Sequence, residues 1–335
     1  MPPFNSVPLP TEVQTLAGKR CLVTGGAGFI GSHLVDGLVE AGAVVRVLDN
    51  LSTGFIENLA HHADAENIEF LHGDASDAEQ VNEAMQGVQY VFHQAAMASV
   101  PRSMREPGLC HAWTTTSTVQ LLEAANRAGV ERFVLASTSA AYGNSPFVAK
   151  READATDPLS PYAAAKLASE QYLRAFYNGY GLETVILRYF NVFGPRQDPR
   201  SEYSAVIPRF VSMILAGQRP IIYGDGHQSR DFVHVRNVVI ANLLAATTAG
   251  VAGGTFNIGC GASTTLLKLL YTLSEILGRP IQAIHEPARV GDVRDSLADI
   301  TQARLRLGYE PLMTVDQGLR ESIEYYQQAA VSTVK

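Results

Sequence analysis

The feature that most constrains this chain is a glycine-rich turn placed directly after a short β-rich run. Lys19-Arg20-Cys21-Leu22-Val23-Thr24 is followed by Gly25-Gly26-Ala27-Gly28-Phe29-Ile30-Gly31. The spacing satisfies GxGxxG through Gly26, Gly28 and Gly31, and also GxxGxxG starting at Gly25. A turn that presses backbone amides against a pyrophosphate has no room for side chains at such positions, and the helix that follows aims its first N–H groups at the anion. The next β-rich run ends in Asp49, 18 residues past Gly31, where a carboxylate can accept both hydroxyls of a ribose. No arginine follows in Asn50-Leu51-Ser52, so the acid would repel a 2′-phosphate, which favours NAD over NADP. Asp74, at the end of the third run, reads either as an adenine contact or as a turn and cap residue.

Beyond the turn, short β-rich runs alternate with amphipathic stretches: VVRVLD, IEFLHGD, YVFHQA, RFVLAS and TVILRY, with helices over 29–41, after Asp77 and in the stretch reaching Ala128. This rhythm predicts an α/β fold, a Rossmann-like doubly wound parallel sheet over residues 18–190. Residues 191–335 are richer in Gly, Pro and Arg and predict a smaller C-terminal α/β domain for substrate, with helices near 208–216, 236–248, 264–277 and 315–328. A segment near 228–255 is expected to return to the first domain. Residues 1–17, with four prolines, read as a flexible leader.

Composition narrows the partners. A net charge of −7 without any Lys/Arg stripe argues against nucleic acid, while leaving room for a small anion held by a few arginines. The absence of a long uninterrupted apolar run or of a secretory signal argues against a membrane and for a cytoplasmic protein. Cys21, Cys110 and Cys260 form neither a CxxC nor a Cys/His ligand pattern, so no metal site is expected and the thiols read as small buried hydrophobes.

Chemistry is suggested by Tyr162-Ala163-Ala164-Ala165-Lys166, which puts a phenol and an ammonium four residues apart on one helix face, introduced by Ser160-Pro161. A phenol needs a fixed cation nearby, here Lys166 and a bound nicotinamide, before it can act as a base near neutral pH. Hydroxyls at the end of a β-rich run, in Ala136-Ser137-Thr138-Ser139, could share a substrate proton with Tyr162, or could cap a turn.

Taken in order, TGGAGFIGSHL, HQAA, STSAAYG, SPYAAAK, RYFNVFGPRQ and GDGHQSRDFVHV resemble the extended short-chain dehydrogenase/reductase family, and within it the nucleotide-sugar 4-epimerases, closest to those acting on UDP-N-acetylglucosamine. The resemblance implies a tightly held NAD contacted by Gly25, Gly28, Phe29, Ile30, Gly31, Asp49, Asn50, Ser52, Thr53, Gly54, Asp74, Ala75, Gln94, Ala95, Ala96, Tyr162 and Lys166. It implies Thr138, Tyr162 and Lys166 as catalytic residues, a UDP-sugar as substrate, and a homodimer built from two helices of each subunit. Asn191 would sit near the diphosphate, Arg230 and Arg289 would fork onto phosphate oxygens, Arg294 is a less secure member of that set, and Arg209 belongs to the surface or pocket rim. Ser99, Ser103 and Ser139 would touch the sugar.

Family members share a first step, in which the tyrosine takes the O4 proton while the C4 hydride passes to NAD, leaving a 4-keto sugar. Dehydratase relatives carry an Asp-Glu pair after the hydroxyl residue, where this chain has Ser139-Ala140, and UDP-xylose-forming decarboxylases carry Glu at the position of Ala140. The reaction that needs no extra group remains: return of the hydride to the opposite face of C4. Ser296 falls where the family gates the C2 substituent, and its small size would admit an N-acetyl group, with UDP-glucose as a possible second substrate.

One departure stands out. Epimerases carry an Asn in an NxxGT-like segment where this chain has Thr114, and a modified relay is expected in which the threonine bonds backbone one turn back. Trp113, the lone tryptophan, is expected to pack in the dimer helix. Alternatives are a 4-epimerase of a UDP-uronic acid, with Arg102 pairing to the C6 carboxylate, and an inactive NAD-binding regulatory relative.

Overall fold

The computed structural model describes residues 8–198, 205–288 and 294–332. Its centre is a seven-stranded sheet in the order Thr255–Ile258, Thr184–Tyr189, Arg132–Thr138, Tyr90–His93, Arg20–Thr24, Val44–Asp49 and Ile68–His72. Every neighbouring pair in it is parallel. Runs such as Arg132–Thr138 are buried along their whole length because helices cover both faces, which explains why they read as continuous apolar stretches rather than alternating ones. Strand order reverses between Arg20–Thr24 and Tyr90–His93, and a crevice opens beyond their carboxyl ends.

Helix Phe29–Glu40 follows the glycine turn and lies against helix Val235–Thr247. Their approach is close enough that a Cβ at Gly37 would stand 2.5 Å from the Val239 side chain. On the other face, helix Pro161–Tyr180 starts where Ser160 Oγ accepts the Ala163 N–H and Pro161 occupies the first turn, and it ends at Gly181 with φ 74°.

The second region is smaller and less regular. Short strands Asn191–Phe193 with Phe232–His234, and Ile221–Tyr223 with Ile284–Glu286, pack with helices Val206–Leu215, Leu266–Leu277 and Val315–Ser332 around Phe193, Phe210, Leu269 and Leu319. The chain rejoins the main sheet through Val235–Thr247 and the edge strand Thr255–Ile258, a little further along than 228–255.

The leader differs from expectation. Residues 1–7 lie outside the described residues, but Thr11–Leu16 form a 3₁₀ turn whose Val13 and Leu16 are buried in the main core. Two apolar side chains three apart are enough to dock one turn of helix, and proline content alone hides this.

One polar cluster ties the two regions together. Asp36 Oδ1 accepts hydrogen bonds from His61 and His62 Nε2, each 2.8 Å, while Arg196 reaches Oδ2 at 2.9 Å. Burial alone would raise the Asp36 carboxyl, yet the two histidine bonds and the Arg196 charge hold it well below the usual range. The guanidinium already balances this carboxylate, so the cluster is a charge-compensated clasp between helix Phe29–Glu40 and the segment that begins the second region. Among the described residues no helix is long and apolar enough to cross a membrane.

Candidate active site

A cleft of about 880 Å³ runs along the carboxyl ends of the central strands and into the second region. Its floor is the glycine turn. Gly25 has φ 70°, and a Cβ there would lie 2.8 Å from Ala95 N; a Cβ at Gly31 would lie 2.0 Å from Gly25 O. Gly25, Gly28 and Gly31 line the cleft, whereas Gly26 packs beneath against Val47. Of the two spacings, GxxGxxG is therefore the one that faces the opening. No side chain caps helix Phe29–Glu40 at Gly28, which leaves its first amides to a ligand.

Asp49 Oδ2 accepts from Ala27 N at 2.9 Å and Oδ1 from Leu51 N at 2.8 Å, which fixes the carboxylate at the cleft wall. Burial raises its pKa, with the two backbone bonds opposing. Asp74 accepts from Asn50 Nδ2 and from both the N–H and the hydroxyl of Ser76, and the Trp113 indole reaches the same carboxyl. Burial opposes these bonds, and they prevail, holding the group below its usual value. Phe29, Ile30, Asn50, Ser52, Thr53, Gly54, Ala75, Gln94, Ala95 and Ala96 complete this wall.

At the middle of the cleft stand Thr138, Tyr162 and Lys166. Thr138 ends its strand, caps the short turn Ser139–Tyr142 by accepting Ala140 N, and hydrogen-bonds the Tyr162 phenol. Capping and contact with the phenol thus coexist in one hydroxyl. Lys166 is buried and donates to Ala136 O at 2.7 Å. Burial pushes its pKa down to about 8, opposed by Cys110 and Glu170. The Tyr162 phenol is raised, by burial first, with the Thr138 bond opposing. The Lys166 ammonium is anchored on the Ala136 carbonyl, and the expectation of a fixed cation near the phenol takes in the nicotinamide of bound NAD as a second source of positive charge.

Ser137, beside Thr138, is committed elsewhere. Its hydroxyl donates to Glu170 Oε1 at 2.5 Å, and Glu170 forms a fully buried bidentate pair with Arg188, which stacks on Tyr142. This network braces the strand that ends in Thr138 against the helix that carries Tyr162 and Lys166.

Toward the second region the cleft is lined by Asn191 and Arg230. Arg209 also lines it, together with Gln197, Tyr223 and Gln228, which sequence reasoning did not single out. These come from separate loops and strands without shared periodicity, so no local signal marks them. Ser99, Ser103, Ser139 and Ser296 are not on the cleft wall. Ser99 caps helix Val100–Arg105, and the Ser103 hydroxyl accepts Tyr162 N while donating to Val100 O, so both are spent on framework. Ser296 is the strand partner of Arg230, one residue row from the opening. Arg289 lies outside the described residues, and Arg294 is exposed and pairs with Asp225.

The chain matches the model of the NAD dependent epimerase/dehydratase family over residues 21–259. It is 39% identical over 310 residues to a UDP-glucose 4-epimerase of Mycolicibacterium smegmatis, covering 92% of this chain and 98% of that one. A UDP-N-acetylglucosamine 4-epimerase from Methanobrevibacter ruminantium, solved with UDP-N-acetylmuramic acid, superposes with a TM-score of 0.89 at 40% identity, over 93% of this chain and 99% of that one. A UDP-glucose 4-epimerase of Thermus thermophilus, solved with NAD, gives 0.83 at 37% identity over 92% and 99%. The chain belongs to the NAD dependent epimerase/dehydratase family. It is an NAD-dependent enzyme of the nucleotide-sugar 4-epimerase kind.

The residues present fit that cofactor. The cradle at Gly25 and Gly31 would be filled by any Cβ, and the ionisable Asp49 stands where a ribose would meet it. Two further residues differ from what a family alignment suggests. The Thr114 hydroxyl is buried beside the Cys110 thiol and makes no bond to backbone one turn back; the Thr114 carbonyl instead accepts Ser117, Thr118 and Ser169 hydroxyls. Trp113 packs against Met97, Cys110 and Ala165 and also lines the cleft, a position the sequence reading did not give it.

Proposed function

We propose that this family member interconverts the C4 epimers of a UDP-sugar, principally UDP-N-acetylglucosamine and UDP-N-acetylgalactosamine, with UDP-glucose as a second substrate. One observation carries the reading: the Thr138–Tyr162 hydroxyl pair opens onto the cofactor cleft, with no carboxylate at Ser139 or Ala140 to drive elimination or decarboxylation. Bound NAD supplies a hydride acceptor and a positive charge. Thr138 holds the sugar O4 against the phenol, and Tyr162 takes the O4 proton on the outward step and gives it back on the return. Lys166, anchored on Ala136 O, keeps a cation under the phenol. Glu170 and Arg188 keep the strand and helix that carry these groups in register. Because the proton and the hydride both return, no acid or base beyond Tyr162 is required.

Room for the C2 substituent is assigned to the strand around Ser296, a small residue off the cleft wall whose strand partner Arg230 lines it, while Asn191, Arg209 and Arg230 offer donors to the diphosphate. A uronic acid substrate is disfavoured, since Arg102 is held by Glu106 and stacked on Trp113 rather than facing the cleft. Helix Pro161–Tyr180 leaves Tyr172 and Tyr180 exposed, in keeping with a homodimer built on it, and the enzyme would work in the cytoplasm. The test is proton NMR of purified protein with UDP-N-acetylglucosamine. The galacto isomer should accumulate to a fixed ratio; no conversion at high enzyme concentration would overturn the assignment.

A further inference from the structure

Trp113 sits on a single turn of π-helix, Ala112–Thr116, inserted between helices Pro107–His111 and Ser117–Ala128. Such turns carry one extra residue, rotate the side chains that follow, and recur at functional sites. Here the turn is pinned by hydroxyls. Thr118 Oγ1 donates to Thr114 O at 2.6 Å, Ser169 Oγ reaches the same carbonyl at 3.3 Å, and Thr115 Oγ1 donates to Ala165 O at 3.2 Å. Two of these bonds go to the helix that carries Tyr162 and Lys166, so the π turn is fastened to that helix.

The indole that results is held on several sides. Arg102 lies over its ring at 5.0 Å and is itself fastened by Glu106. Its N–H side meets the Asp74 carboxyl, and its body packs beside Met97, Cys110 and Tyr162. The part left over lines the cofactor cleft, whose wall also carries the small residues Ala95, Ala96 and Ala98. A fixed aromatic surface in a cleft that also carries small residues is suited to stacking a flat base, and orienting it beforehand removes the entropy of ordering a large side chain on binding.

We propose that Trp113 is a binding residue for the adenine half of the dinucleotide, and that Arg102 and Asp74 position its ring. This rests on the cleft being the NAD site and is independent of which sugar is turned over. Asp74 then serves the adenine end indirectly: its oxygens are taken by Asn50, Ser76 and the indole, and it aims the ring rather than reading the base itself. Base stacking on a fixed aromatic is a substantial contact, so Trp113→Ala should release NAD about tenfold more readily. Trp113→Phe, which keeps a ring without the N–H, should stay within about threefold of the parent.

Because the chain has one tryptophan, its emission reports this site alone. The full-length chain freed of nucleotide is titrated with NAD, with AMP and with nicotinamide mononucleotide, with no sugar present. NAD and AMP should each change the emission, and nicotinamide mononucleotide should leave it unaltered. An emission that ignores NAD, or one that answers to nicotinamide mononucleotide and not to AMP, would overturn the proposal. So would a Trp113→Ala chain that holds NAD as tightly as the parent. If that variant fails to fold, the titration of the parent still decides. None of these readouts depends on epimerisation, so their failure is separable from failure of the proposed reaction.

Discussion

The two ends of the cleft are built in different ways. The cofactor end is made largely of backbone: glycines that nothing else can replace, helix amides left open at Gly28, and carboxylates tied down by neighbouring N–H groups. The end we assign to the UDP-sugar is made of side chains, among them Asn191, Arg209 and Arg230, delivered by separate segments of an irregular region. A backbone cradle is intolerant and general, suited to one cofactor that stays. A side-chain pocket can be rewritten one residue at a time, which suits a family whose members differ in substrate.

Substitutions should separate the two ends, and the largest effect is expected at their boundary. Tyr162→Phe removes the proton carrier without touching the cradle, so turnover should fall about a thousandfold while bound NAD, measured after release from the protein, stays at the parent level. Loss of NAD along with activity would mean that the phenol belongs to the cofactor end instead. Gly31→Ala is the reverse experiment. Its Cβ would overlap Gly25 O, so the chain should emerge without NAD and about 3 kcal/mol less stable to urea; retention of cofactor would show that the cradle can yield.

Smaller effects follow at the sugar end. Removing Arg230 takes away a charged donor worth about 1.5–3 kcal/mol, so Arg230→Ala should raise KM for the UDP-sugar roughly twentyfold with kcat almost unchanged. A fall in kcat at constant KM would place this arginine in the chemistry. The mildest test is pH. The Lys166 pKa is lowered by burial to about 8, so the cation is present below that value and lost as pH rises through it. Activity of nucleotide-free protein reloaded with NAD should therefore decline on the alkaline side near pH 8, and Lys166→Arg, which keeps its charge, should move the decline upward.

The same contrast decides how much could be read from the chain. The turn, Asp49 and the six main-sheet strands up to Thr184–Tyr189 were legible because they are local: spacing, apolar runs and the residue after each strand are all written in sequence order. The pairing of Thr138 with Tyr162 was legible through the motifs that carry them. What was hidden depends on distant partners. Ser137 looks as available as Thr138 until Glu170 and Arg188 arrive from elsewhere and claim it. Ser103 looks like a sugar contact until helix Pro161–Tyr180 places Tyr162 N on its hydroxyl. Trp113 reads as packing, which it does, but its place on the cleft wall goes with a π turn, and no composition signals an extra residue in a helical turn. The edge strand Thr255–Ile258 is only four residues long and separated from its sheet by the whole second region, so it could be suspected only as a return of the chain.

The central claim is that C4 gives up its hydrogen to a resident cofactor and receives the same hydrogen on its other face, while Tyr162 shuttles the hydroxyl proton. UDP-N-acetylglucosamine carrying deuterium at C4 tests it directly. The galacto product should retain the label at C4 in ordinary water; a product whose label has washed out into solvent would contradict the account.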